Sequence, residues 1–198
     1  DHPTGIVERI QAPAGPAVCR NGDDDQRGNP CVETAPAWTG HWRASEAPPE
    51  LSGLRENGTR WQGVAEWEVN LEIARRTARI LQDSGYTVEI LPTRIPPGYW
   101  ADLFISIHAD GHSSSRISGY RAAPPRRDLT GRAAEFSSLL DRTYGEETGL
   151  AYYGSITRRM RGYYAFNYRR YQHALHPMTV GVILETGFLT SPRDRSIA

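Results

Sequence analysis

His108 and Glu185 each close a short apolar run, 103–107 and 180–184, and each could bind a metal or move a proton. Runs of this length bounded by turn residues read as buried strands. In open α/β sheets, reactive groups stand just beyond the carboxyl ends of such strands. If the two strands lie near each other, the imidazole and the carboxylate meet at one rim of the sheet. Glu66 opens a helical pattern, and His41 follows a glycine in a loop. Two imidazoles and a carboxylate, with water in the fourth position, make a zinc site of the catalytic kind. A bound zinc lowers the pKa of its water to about 7 and polarises a carbonyl. Glu185 would then serve as general base and acid for hydrolysis.

These side chains need a frame. Trp67, Leu71, Ala74, Ala78 and Leu81 recur at helical spacing, so 66–84 is predicted as a helix stopped by Gly85. Strands are expected at 86–91, 103–108 and 180–185. A short edge strand at 119–123 ends at Pro124-Pro125. A second helix is expected over 129–144, with Ala133, Phe136, Leu139 and Leu140 on one face. The order helix, strand, loop, strand suggests an α/β sheet.

The chain has 198 residues and no net charge, so no strong global field recruits nucleic acid. No apolar run is long enough for a transmembrane helix. The chain begins at Asp1 with no signal-like segment, as after removal of a leader or trimming. All 23 basic residues are Arg. Residues 1–65 read as irregular, apart from a candidate strand at 5–10. Cys19 and Cys31, twelve positions apart, are expected to form a disulfide. Closing such a loop stabilises by about 3 kcal/mol in the chain-entropy model and implies an oxidising compartment.

The segments Gly40-His41, Glu66 with Asn70-Leu71-Glu72-Ile73-Ala74, Ser106-Ile107-His108-Ala109-Asp110, and Leu184-Glu185-Thr186-Gly187-Phe188-Leu189-Thr190-Ser191 occur in this order. Together they resemble the zinc-dependent N-acetylmuramoyl-L-alanine amidases, the type 3 amidase family of cell-wall hydrolases. The resemblance spans about residues 38–195. It implies a single α/β domain at 38–198, and the irregular segment before it, 1–37, carries the disulfide expected from the cysteines. The implied sheet is twisted, six-stranded and mainly parallel, with helices on both faces. The implied site is zinc (Zn2+) held by His41, Glu66 and His108, with Glu185 catalytic. The implied substrate is peptidoglycan, cut at the amide between N-acetylmuramic acid and L-alanine, and the implied location is secreted or cell envelope. Two other readings stay open: a non-catalytic peptidoglycan-binding module of this fold, and a zinc carboxypeptidase acting on another peptide.

The chain departs from the family pattern around His41, where Ala-Trp-Thr-Gly-His-Trp-Arg replaces the usual Asp-Pro-Gly-His-Gly-Gly. Glu68 rivals Glu66, but the register of the following segment favours Glu66. His112 reads as a solvated loop residue, His173 and His176 as structural, and Asp110 as a hydrogen-bonding neighbour of the site. The Arg- and Tyr-rich stretch 159–170 reads as a solvated face or substrate rim. Only 52 residues separate His108 from Arg161. An edge strand and one helix fill most of them, so an open groove without an internal blocking helix is expected.

Overall fold

The computed structural model of the chain describes residues 6–11, 58–91 and 95–197. His41, Cys19 and Cys31 lie outside these residues, and with them the expected third ligand and the expected disulfide. The elements run β1 (Ile6–Gln11), β2 (Arg60–Trp61), β3 (Val64–Ala65), α1 (Glu66–Asp83), β4 (Thr87–Leu91), β5 (Leu103–Asp110), β6 (Arg121–Ala123), α2 (Ala133–Thr148), α3 (Arg158–Arg161), a 3-10 turn at Tyr164–Phe166, β7 (Val180–Phe188) and α4 (Pro192–Arg195).

The central sheet differs from the expected six-stranded, mainly parallel one. Among the described residues it has five strands in the order β4-β1-β5-β7-β6. Only β5 and β7 pair in parallel; β1 runs antiparallel to both β4 and β5, and β6 antiparallel to β7. Parallel neighbours need a long crossover, and the chain between β5 and β7 supplies one that carries α2 and α3. The short β6 closes one edge, as Pro124-Pro125 requires.

Helical segments cover both faces of the sheet, but the two long helices share one of them. Ile105, Ile107, Ala122, Val182 and Leu184 form one face of the sheet, and both long helices pack there through Leu71, Ile73 and Ala74 of α1 and Phe136, Leu140 and Tyr144 of α2. The opposite face carries Phe104, Ala123 and Ile183. It is covered by Met160 of α3, the 3-10 turn and loop residues such as Ile95, Tyr99 and Leu175. Alternation along β5 and β7 puts His108 and Glu185 on this second face, so α2 lies on the far side of the sheet from them.

The buried stripe of α1 is Glu66, Asn70, Ala74 and Ala78. This is rotated from the expected stripe, because Trp67, Leu71 and Leu81 are only half-buried. In α2 the expected core residue Leu139 is 47% exposed, while Ala133 and Ser137 are buried. Periodicity located both helices, but the small residues that allow close approach to the sheet decided the contact face.

Candidate active site

Glu66 is the first residue of α1, and its position is set by the hairpin before it. Gln62 and Gly63 both take positive φ, 49° and 87°, as a tight two-residue turn between β2 and β3 demands. The chain folds back so that Glu66 N–H donates to the Thr59 carbonyl at 2.8 Å, while Thr59 N–H donates to Glu66 Oε2 at 2.9 Å. Glu66 Oε1 then accepts from Asn70 Nδ2 and from Ala109 N–H, both at 3.3 Å. Glu68 does something else: its carboxylate accepts from Ala65 N–H at 2.7 Å and caps the helix.

His108 stands one residue before Ala109 on β5. Its Nδ1 lies 3.1 Å from Glu66 Oε1, and its Nε2 lies 3.1 Å from Ser106 Oγ. Tyr163 packs edge-on against the imidazole at 5.4 Å between ring centres. The His108 carbonyl accepts from Thr186 Oγ1 at 3.0 Å, which fastens β5 to β7 at the level of the site. Ring and carboxylate are both buried.

Glu185 sits directly opposite His108 in the parallel β5–β7 register, and Arg121 of β6 sits opposite Glu185 on its other side. A buried carboxylate is therefore flanked by an imidazole and a guanidinium. Past His108 the register shifts, so that Asp110 faces Phe188, and the Asp110 carboxylate pairs with Arg121 Nη2. Arg121 Nη1 donates to the Ser155 carbonyl, and the guanidinium lies 5.4 Å from the Tyr153 ring centre.

Burial alone would raise the pKa of the Glu66 carboxyl, but hydrogen bonds and charge from His108 and the N–H groups of Thr59 and Ala109 hold it below the ordinary value. Burial opposes charge on His108, yet its Glu66 partner and the Glu185 carboxylate raise its pKa. Glu185 is pushed up to about 8, chiefly by burial and further by Asp110 and Glu66, against the pull of His108 and Arg121. Two carboxylates beside one imidazole thus shift in opposite directions, as at functional sites.

Two ligands of a tetrahedral zinc stand about 3.3 Å apart when each is about 2.0–2.1 Å from the metal. Glu66 Oε1 and His108 Nδ1, at 3.1 Å, fit two such corners. Ser106 holds the other ring nitrogen, as an outer partner of a ligating histidine does. No group of three His, Cys, Asp or Glu side chains converges for a metal among the described residues.

The other histidines among the described residues serve local structure. His112 Nδ1 accepts from Ser114 N–H at 3.0 Å, His173 Nδ1 lies 2.8 Å from the Ile95 carbonyl, and His176 Nδ1 accepts from Met178 N–H at 3.3 Å. Sequence reasoning missed Arg121, Asn70 and Ser106 as partners of the site. Signals existed: Arg121 is a lone charge in a strand of small residues, Asn70 is one helical turn from Glu66, and Ser106 shares the strand face of His108.

The structure thus brings an imidazole–carboxylate pair and a second buried carboxylate together at the strand ends of an α/β sheet. The sequence profile for N-acetylmuramoyl-L-alanine amidase, Amidase_3, matches residues 40–198, and the chain belongs to this family of amide hydrolases. Among solved structures, the catalytic domain of CwlV, an N-acetylmuramoyl-L-alanine amidase from Bacillus (Paenibacillus) polymyxa var. colistinus, is similar at 17% identity and a TM-score of 0.42, over 67% of this chain and 72% of that one. No curated protein sequence matches the chain significantly.

Proposed function

We propose that the chain hydrolyses peptidoglycan at the amide between the lactyl group of N-acetylmuramic acid and L-alanine of the stem peptide, with zinc as cofactor. The observation that carries this reading is the Glu66–His108 pair at 3.1 Å with Glu185 in register beside it. Glu66 and His108 would hold the zinc together with His41. When bound there, zinc supplies Lewis-acid polarisation of the amide carbonyl and a more acidic water.

The protein groups divide the remaining work. Glu185 accepts the proton of the water that attacks the carbonyl carbon and delivers it to the departing amine as the C–N bond breaks. A carboxyl pushed up by burial suits this exchange near neutral pH. Asn70 and the N–H groups of Thr59 and Ala109 keep the Glu66 carboxylate from rotating. Ser106 and Tyr163 fix the plane of the His108 ring. Such a substrate places the enzyme outside the cytoplasm, in the cell envelope or secreted. No helix among the described residues is long and apolar enough to cross a membrane.

Digestion of purified muropeptides, read by mass spectrometry with and without a chelator, tests the reading. Release of intact stem peptide beginning at L-alanine, lost on chelation and restored by zinc, supports it. Bound zinc without cleavage would favour a peptidoglycan-binding module, and loss of a C-terminal residue from other peptides would favour a carboxypeptidase.

A further inference from the structure

Six of the chain's 23 arginines line one groove: Arg126 and Arg127 after β6, Arg158 and Arg161 of α3, and Arg169 and Arg170 beyond the 3-10 turn. The groove encloses about 690 Å³, and its lining contains no acidic residue. All six side chains are exposed, and none pairs with a carboxylate among the described residues. In a chain with no net charge this is a strong local excess of positive charge. The volume falls within the usual range of about 300–1,000 Å³ for ligand pockets. Arginine forks match carboxylates in bidentate fashion, and the groove offers several at different heights.

The groove lies on the sheet face that carries His108, with the rings of Phe166 and Tyr163 between them. Phe166, in its wall, packs against Tyr163 at 5.7 Å between ring centres, and Tyr163 packs against His108 at 5.4 Å. Gly162, another wall residue, immediately precedes Tyr163. The backbone beneath is fixed, since Arg126 N–H donates to the Arg161 carbonyl at 2.8 Å.

We infer that this groove binds the free carboxylates of the stem peptide on the leaving-amine side of the cut, selecting acidic over amidated peptides. The inference rests on the amidase reading. A diffuse arginine surface would favour the acidic peptide only weakly, and that preference would vanish at high salt. A polyanion site would follow charge density regardless of the peptide.

The test uses two synthetic tetrapeptides, L-Ala-D-isoGlu-L-Ala-D-Ala with free carboxylates and its fully amidated twin, titrated calorimetrically into the wild-type chain, into R126Q/R127Q/R169Q/R170Q, and into the control R75Q/R79Q on α1. The acidic peptide is expected to bind the wild type about ten- to a hundredfold more tightly, the range of one or two charge-assisted hydrogen bonds. The quadruple variant should lose that preference and the control should keep it. Equal binding of both peptides by the wild type, or polyphosphate binding that displaces both equally, would overturn the inference. Muropeptide cleavage in the same preparations separates the two readings. No cleavage with the peptide preference intact removes the amidase reading and leaves the acid-selective groove. Cleavage with equal KM for free and amidated stems removes the groove and leaves the amidase.

Discussion

Glu66 Oε1 and His108 Nδ1 meet at 3.1 Å across 42 residues of sequence, one at a helix start and the other near a strand end. The Glu66 carboxylate is held by hydrogen bonds from the helix, the hairpin and the strand, so it serves both as a candidate ligand and as the joint between three elements. Glu66→Ala should abolish zinc uptake, measured by metal analysis after dialysis. It should also lower stability by about 1–3 kcal/mol in denaturant unfolding, because the buried Ala109 N–H and the half-buried Thr59 N–H lose their acceptor. Retention of stoichiometric zinc by the variant would exclude Glu66 as a ligand.

In the proposed function Glu185 moves the proton while other groups hold the metal. Glu185→Gln keeps the shape and removes the proton carrier. We expect kcat on muropeptides to fall by about 10²–10⁴-fold, the usual contribution of a positioned acid–base group, with zinc content unchanged. A variant with full activity would leave proton transfer to another group.

The metal-free protein should lose stability as pH rises from about 4.5 to about 8. The folded pKa of Glu185 is pushed up to about 8 from 4.5, so between these values the native state binds the extra proton. His108 acts with the same sign: its raised folded pKa gives stability that is complete below 6.5 and lost as pH passes through the folded value. Each proton held only by the native state gives a slope of about 1.4 kcal/mol per pH unit. Urea titrations across this range, made on chelated protein, should show the decline, and Glu185→Gln should flatten it. A rise in stability over the same window would contradict the assignment.

The legible and illegible parts of the sequence separate by range. The helices, the apolar strands β5 and β7 and the short edge strand β6 follow from local pattern and punctuation. Residues 184–191 also carried their meaning locally, since each acts at the end of one strand. Strand order and direction did not follow, because the antiparallel insertion of β1 between β4 and β5 leaves no mark on either neighbour. Residue type and position at a strand end and a helix start drew attention to His108 and Glu66, but the Thr59 hairpin that holds the carboxylate is a two-residue turn in a stretch that reads as loop. Arg121 was overlooked because its role depends on Asp110 and Glu185, which only the register brings together.

The Asp110–Arg121 pair gives a test of that register. Arg121 is 8% exposed and faces two carboxylates. Arg121→Met removes the counter-charge and should destabilise by about 3–5 kcal/mol, the usual effect of leaving one member of a buried pair alone. Adding Asp110→Asn should recover part of the loss. A double-mutant cycle in urea that gives additive effects would deny the pairing.

Asp194 explains why the acidic strand end is followed by Thr-Gly-Phe and then Ser-Pro-Arg-Asp. Its carboxylate accepts from Ser118 Oγ at 2.5 Å, Gly119 N–H at 3.0 Å, Phe188 N–H at 2.8 Å and Ser191 Oγ at 3.0 Å. One buried side chain thus ties the end of β7 to the loop before β6 and to the start of α4. Gly187 must be glycine for this approach, since a Cβ there would stand 2.9 Å from Asp194 Cβ. Asp194→Ala leaves two buried N–H groups without an acceptor, each costing about 1–3 kcal/mol, so a total loss of roughly 3 kcal/mol or more is expected. Asp194→Asn keeps part of the network and should cost less. Gly187→Ala should destabilise by forcing Asp194 away from its donors, and the combination with Asp194→Ala should be less than additive because the hydrogen-bond network that the displacement disturbs is already lost, although alanine keeps the Cβ at 2.9 Å. Thermal unfolding of the four proteins decides the point, and additive losses would mean that Gly187 and Asp194 do not share one constraint.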